Sequence, residues 1–268
     1  MKNPLQLYQL LDKSNCRLCL LPSCMAFAVA VIQGKKDITD CPRASPETIA
    51  AVNGKVTVRK DIAEEQQERL IGLKQALAAI DFAAVAERLG ARTVPEGMAI
   101  PCLGKDFVVD AAGELRSECH SNLWVQVPLL NYILHGMGKK ISGRLVSFAE
   151  LPGAADWSRF FSHRCERGLE QLAAAHPDLF FEILDLFGAR PVSGTEADRS
   201  LCLHPLPALP LVINYWEPEP GLDAKLTLLF DDTAADNLPM DAIYLLCQGL
   251  VEMLRALIAK HSRDGKLF

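Results

Sequence analysis

The sequence predicts an α+β protein in two parts. A small, helical, cysteine-rich module occupies residues 1–45, and after a linker at 46–62 a larger domain of antiparallel strands and packed helices fills 63–268. Three observations carry that expectation. Four cysteines crowd into residues 16–41 with the spacing C-x2-C-x4-C-x16-C. Helical periodicity marks residues 61–89, 123–135, 157–187 and 241–261, whereas short apolar runs between turn residues mark strands at 99–117 and 201–230. Half of the 268 residues are apolar, enough for a sizeable core beside a small module.

The elements follow in order. Asn3-Pro4 opens a short helix carrying Leu5, Leu7, Tyr8, Leu10 and Leu11. Ser23 is an N-cap and Gly34 a C′ residue for the apolar helix between them, on which the first helix is expected to pack. Lys35 and Lys36 complement the carbonyls at its end. Ser45-Pro46-Glu47-Thr48 begins a further helix, and 54–60 reads as a brief strand or linker. Residues 61–89 read as helix interrupted near Ile80-Asp81 and closed by Gly90. There Leu70, Leu73, Ala76, Leu77 and Ile80 mark one buried face, while Glu64 to Arg69 is a polar run facing solvent.

Phe107-Val108-Val109, a turn at Asp110–Gly113 and Glu114-Leu115-Arg116 read as a β-hairpin. The helix within 123–135 is expected to restart at Pro128 and stop at Gly136. Leu145–Phe148 reads as a strand ended by Pro152-Gly153, followed by helices at 157–175 and 177–187. Leu201–His204, Pro210–Trp216 and Lys225–Phe230 form the clearest sheet. The eight residues between the last two hold Pro218, Pro220 and Gly221, as an antiparallel return requires. A long helix from Asp241 to His261 closes the chain, with Ile243, Leu246, Leu250, Met253, Leu254 and Leu257 on its inner face.

Charge and composition narrow the function classes. A formal charge of −5 argues against a nucleic-acid binder. Nine cysteines, an odd number, do not suggest a secreted disulfide scaffold, and a cytoplasmic location is expected. The apolar run 25–32 is too short to cross a membrane, and 242–259 is broken by Gln248, Glu252 and Arg255, so no membrane insertion is expected.

Cys16, Cys19, Cys24 and Cys41 are the candidate metal ligands. Four converging thiols are what an iron–sulfur cluster or a structural zinc needs. Cys24 falls in the first turn of a helix, where free N–H groups and the positive end of the dipole favour an anionic all-thiolate cluster. Cys16 and Cys19 come from a loop, and Cys41 returns after the helix. Structural zinc favours two paired knuckles and this chain has one, so a cluster is the preferred reading; zinc and unrelated reduced thiols are the alternatives.

The stretch Asn15-Cys16-x-x-Cys19-x-x-Pro22-Ser23-Cys24-Met25-Ala26-Phe27-Ala28, ending in Asp40-Cys41-Pro42, resembles the small [4Fe–4S] module at the head of the corrinoid iron–sulfur protein's large subunit. That module also occurs in Rnf-type electron-transport subunits and iron-hydrogenase-associated proteins. The resemblance implies that these four cysteines bind a [4Fe–4S] cluster serving electron transfer in an anaerobic pathway, with a redox protein as partner. One departure is Leu20, where the family usually has glycine; a side chain there is expected to crowd the cluster or bury it more deeply. No segment resembles that family's barrel or corrinoid-binding domain, so corrinoid binding by this chain is not expected. Residues 124–132, Val146–Phe148 with Leu151–Gly153, and 205–216 resemble an uncharacterised prokaryotic domain that commonly follows such a module.

Other constellations are weaker. Cys119-His120, His163-Arg164-Cys165 and Cys202-Leu203-His204 would make a second metal site only by converging from different elements, and Cys102, Cys202 and Cys247 read as small core residues. Gly136-Met137-Gly138-Lys139-Lys140 could offer backbone and lysines to a phosphate, against the simpler reading of a helix stop. Asp231-Asp232 suits magnesium or a turn equally. Trp124, Trp157, Tyr215 and Trp216 flank a pocket or pack in the core. The sequence lacks the common nucleotide-binding and hydrolase signatures, so whether the large domain is an enzyme is left open. A non-redox binding or regulatory protein with a structural zinc or cluster is the competing class.

Overall fold

Two units make up the chain, Met1–Arg69 and Leu70–Phe268, and the computed structural model describes residues 3–32, 36–52, 62–118 and 122–264. The expectations for Gly34 and Lys35, for residues 54–60 and for Cys119-His120 lie outside the described residues.

In the first unit, α1 (Pro4–Leu10) is capped by Asn3, whose side-chain oxygen accepts the Leu5 N–H at 2.9 Å. Ser23 caps α2 (Cys24–Ile32) by accepting the Ala26 N–H at 3.1 Å. Asp37 and Asp40 form a capping box around a 3₁₀ turn at Ile38–Asp40. Ser45 starts α3 (Pro46–Val52), accepting the Thr48 N–H at 3.1 Å. Leu7, Leu11, Phe27, Ala28, Val31, Ile32, Ile38 and Val52 bury together as a small core. In α4 (Ile62–Leu77), Gln67, Glu68 and Arg69 are exposed, as the polar run implied.

In the second unit, α4 breaks after Leu77, and Asp81 caps α5 (Phe82–Ala86), which ends through a 3₁₀ turn at Gly90, φ +64°. Strands β1 (Arg92–Val94), β2 (Gly97–Cys102), β3 (Lys105–Val109) and β4 (Leu115–Arg116) make an antiparallel meander. The β3–β4 turn is held by Asp110, whose carboxylate accepts the Ala112 and Glu114 N–H groups at 2.9 Å each.

Helix α6 (Leu123–His135) corrects one expectation: it runs through Pro128 without restarting. Loss of one N–H costs one helical bond, and the buried run Val127–Ile133 offsets it. Next come β5 (Leu145–Ser147), α7 (Ser158–Phe161), a π turn at Ser162–Glu166 that periodicity did not foresee, α8 (Arg167–Ala175) and α9 (Pro177–Leu186). Strands β6 (Arg190–Pro191), β7 (Arg199–Leu206), β8 (Leu209–Trp216) and β9 (Lys225–Asp231) join β5 in an antiparallel sheet ordered β5-β9-β8-β7-β6. The β7–β8 register shifts between Leu203 and Leu206, where Pro205 has no N–H to give the ladder. All of Leu209–Tyr215 is buried, as a central strand covered on both faces must be.

After the short α10 (Ala234–Asn237), α11 (Met240–Asp264) closes the fold. By length and composition it is apolar enough to cross a membrane, yet Ala242, Ile243, Leu246, Cys247, Leu250, Val251, Leu254 and Ile258 are buried in the unit's core. Phe148 and Phe161 stack at 3.8 Å between ring centres, with Phe230 edge-on at 6.0 and 5.8 Å.

Candidate metal centre

Loop, helix start and return segment hold the four thiols. Cys24 is the first residue of α2 and is buried, while Cys16, Cys19 and Cys41 are half-buried. Cys19 and Cys41 pack against the same small core as Cys24, so three of the predicted ligands share one apolar neighbourhood. Cys16 stands on the loop beside it, within reach of the Asp12 and Arg43 charges.

The loop is built around Asn15. Its backbone N–H donates to Cys24 Sγ at 3.3 Å, and its side-chain oxygen accepts the Cys24 N–H at 2.8 Å. This pair of bonds ties the entry loop to the helix start and gives the sulfur a donor suited to a thiolate. Asp12 lies at the same place: Oδ1 is 3.9 Å from Cys24 Sγ, and Oδ2 is 3.5 Å from Arg43 two residues past Cys41. Sequence reasoning missed both roles. An Asx residue just before a cysteine is the signal that could have revealed Asn15.

Four non-glycine residues of this loop take a left-handed conformation: Lys13 (φ 60°), Asn15 (49°), Arg17 (63°) and Leu20 (64°). Within this loop the Ser14 N–H goes to Asp12 Oδ1 at 3.1 Å, the Asn15 N–H to Cys24 Sγ and the Leu20 N–H to Arg17 O at 2.9 Å. Leu20 is 88% exposed. Glycine's advantage at this position is the backbone conformation, which a leucine adopts at a cost.

The thiols differ electrostatically. The Leu18 N–H foremost, then the Ser14 hydroxyl and the Arg43 charge, hold the Cys16 thiol below its ordinary range. Burial pushes the Cys41 thiol up, and the nearby Cys19, Asp12 and Cys24 charges add to that. The Cys19 and Cys24 sulfurs thus lie near enough to Cys41 to act on its thiol. Among the described residues no group of three or more His, Cys, Asp or Glu side chains is placed to hold a single metal ion. A [4Fe–4S] cluster asks for a different arrangement, because each thiolate takes its own iron. Four thiols, one with its ionised form favoured and one already accepting a backbone N–H, are a donor set that fits such a group.

The other predicted constellations come apart. Cys165 and Cys247 are buried, and burial raises both thiols, Cys165 to about 12. Cys202 and His204 share a strand face with Sγ and Nδ1 3.9 Å apart, yet no third ligand joins them among the described residues. Asp231 is buried with its oxygens taken by the N–H groups of Ser142, Gly143 and Thr233 and by two hydroxyls, which makes it a turn anchor. Trp157 packs on Tyr244, Tyr215 on Phe181, and Trp216 under Lys225.

A family model described as "Putative Fe-S cluster" matches residues 11–43, and one described as "Domain of unknown function (DUF3786)" matches residues 81–253. No curated protein and no solved structure matches the chain. The expected order, cluster module followed by an uncharacterised domain, is thereby met.

Proposed function

From the premise that the chain belongs to the DUF3786 family and carries an iron–sulfur-type module ahead of that domain, we propose that it is an electron-transfer protein. Its [4Fe–4S] cluster is held by Cys16, Cys19, Cys24 and Cys41. When bound, the cluster supplies one-electron transfer at a potential set by its surroundings. The chain's own part is to gather the thiols and to favour the ionised form of Cys16. Asn15 locks the loop to α2 and donates to Cys24 Sγ. The Leu18 N–H favours the Cys16 thiolate, and the apolar neighbours of Cys19, Cys24 and Cys41 limit water. What supports this reading is the cysteine spacing within the matched segment, with Cys19, Cys24 and Cys41 at one small core and Cys16 on the N–H-donating loop beside it. In this reading the protein works in a reducing, low-oxygen cytoplasm and passes electrons to a protein partner.

The test is anaerobic purification with iron, sulfide and zinc analysis. About four irons and four sulfides per chain are expected, with a broad visible absorbance that dithionite bleaches. Cys24→Ala should lose most of the iron. A colourless protein holding one zinc would overturn the redox reading.

A further inference from the structure

Within the large unit, Gly138, Lys139, Lys140 and Ile141, in the segment that follows α6, form one wall of an open cavity of about 590 Å³. Ala84, Glu87, Arg88 and Gly90 form a second wall, and Pro207 and Ala208 of the β7–β8 turn a third. Three cations, Arg88, Lys139 and Lys140, line it against one carboxylate, Glu87. Among the described residues no carboxylate pairs with the Lys139 or Lys140 ammonium.

The walls are fixed from behind by buried polar groups. The Asn237 side chain accepts the Lys139 N–H at 2.8 Å and donates to Lys139 O at 2.9 Å and Ala208 O at 3.2 Å. Tyr132 donates to Leu89 O at 2.9 Å and accepts the Ala208 N–H at 3.2 Å. Both side chains are fully buried. The Arg88 guanidinium donates to Gly136 O. Gly138, φ +66°, lies so close that a Cβ would sit 2.5 Å from Arg88 O, so glycine is required there. A helix stop needs none of these cross-links. They hold three separate segments at a set spacing, as a binding site requires.

We propose that this cavity binds a phosphate-bearing small molecule. Lys139 and Lys140 act as point charges on the phosphoryl oxygens, and Arg88 contributes the guanidinium nitrogens it does not spend on Gly136. Ala84, Ile141, Pro207 and Ala208 supply apolar surface for the rest of the ligand. The proposal goes beyond electron transfer and does not depend on it.

Calorimetry on the full chain at constant ionic strength tests it, with phenyl phosphate and inorganic phosphate as probes. Phenyl phosphate is expected to bind, and the exposed double variant Lys139→Gln/Lys140→Gln should weaken it at least tenfold with an unchanged melting curve. Equal, lysine-dependent binding of both probes would support the anion site with free phosphate as its occupant. Binding of neither probe, or binding indifferent to the double variant, would overturn the proposal whatever the iron content.

Discussion

Leu20 and Asp231 show how single residues set local energetics. Leu20 holds a left-handed backbone with its side chain in solvent, so Leu20→Gly removes strain and little else. The variant should stabilise the first unit by about 1 kcal/mol, read as slower hydrogen exchange of the α2 amides. Asp231 is pushed up by burial, but the Thr233 hydroxyl and the N–H groups of Ser142, Thr233 and Gly143 outweigh that and hold it below the usual carboxylate range. A lowered folded value means its stabilisation is present above the unfolded value of about 3.9 and is lost as pH falls through the folded one. Asp231→Asn should cost the large unit about 2–3 kcal/mol at neutral pH. It should also flatten the acid limb of melting temperature against pH; an unchanged acid limb would contradict the assignment. The cysteines were legible because ligand spacing is local. Asp12 was not, since its place beside Cys24 depends on how residues 12 and 43 meet across the loop.

Among elements, helices α6 and α11 meet through a glycine. A Cβ on Gly249 would lie 2.5 Å from Trp124 Cβ, a contact that no side-chain rotation relieves. Gly249→Ala gains about 1 kcal/mol of helix propensity but overpacks at about 1–3 kcal/mol, so a net loss of stability is expected in chemical denaturation. Helix faces were readable from steps of three and four, and the inner face of α11 is the one periodicity marked. The passage of α6 through Pro128 and the π turn at Ser162–Glu166 were not readable. Each is a local irregularity sustained by tertiary burial, which a sequence window does not contain. The walls of the phosphate cavity show the same divide. The Gly-Lys run stood out in the sequence, whereas its partners Arg88 and Pro207 are distant in the chain.

As a whole molecule the chain carries a first unit with a small buried core and a second with a large one, and the two differ in what they need. Among the described residues the first unit's core is small, with Leu7, Leu11, Cys24, Phe27, Ala28, Val31, Ile32, Ile38 and Val52 buried, the range in which small scaffolds commonly rely on a bound metal. Stripping iron with a chelator should therefore raise proteolytic cutting within residues 3–52 by about tenfold or more, measured by mass spectrometry of the fragments; unchanged cutting would show that the cluster is not structural. In the second unit the antiparallel sheet was legible from its Pro- and Gly-punctuated strands, while strand order was not, because β5 pairs with β9 although β6, β7 and β8 lie between them in the chain. That order has a consequence for life in a crowded cell. The stickiest segment, Leu209–Tyr215, lies in the middle of its sheet, and the rims are strands of only three and two residues. Rim strands this short offer an incoming chain little template, and Glu166 takes the Leu228 N–H where β5 leaves β9 uncovered.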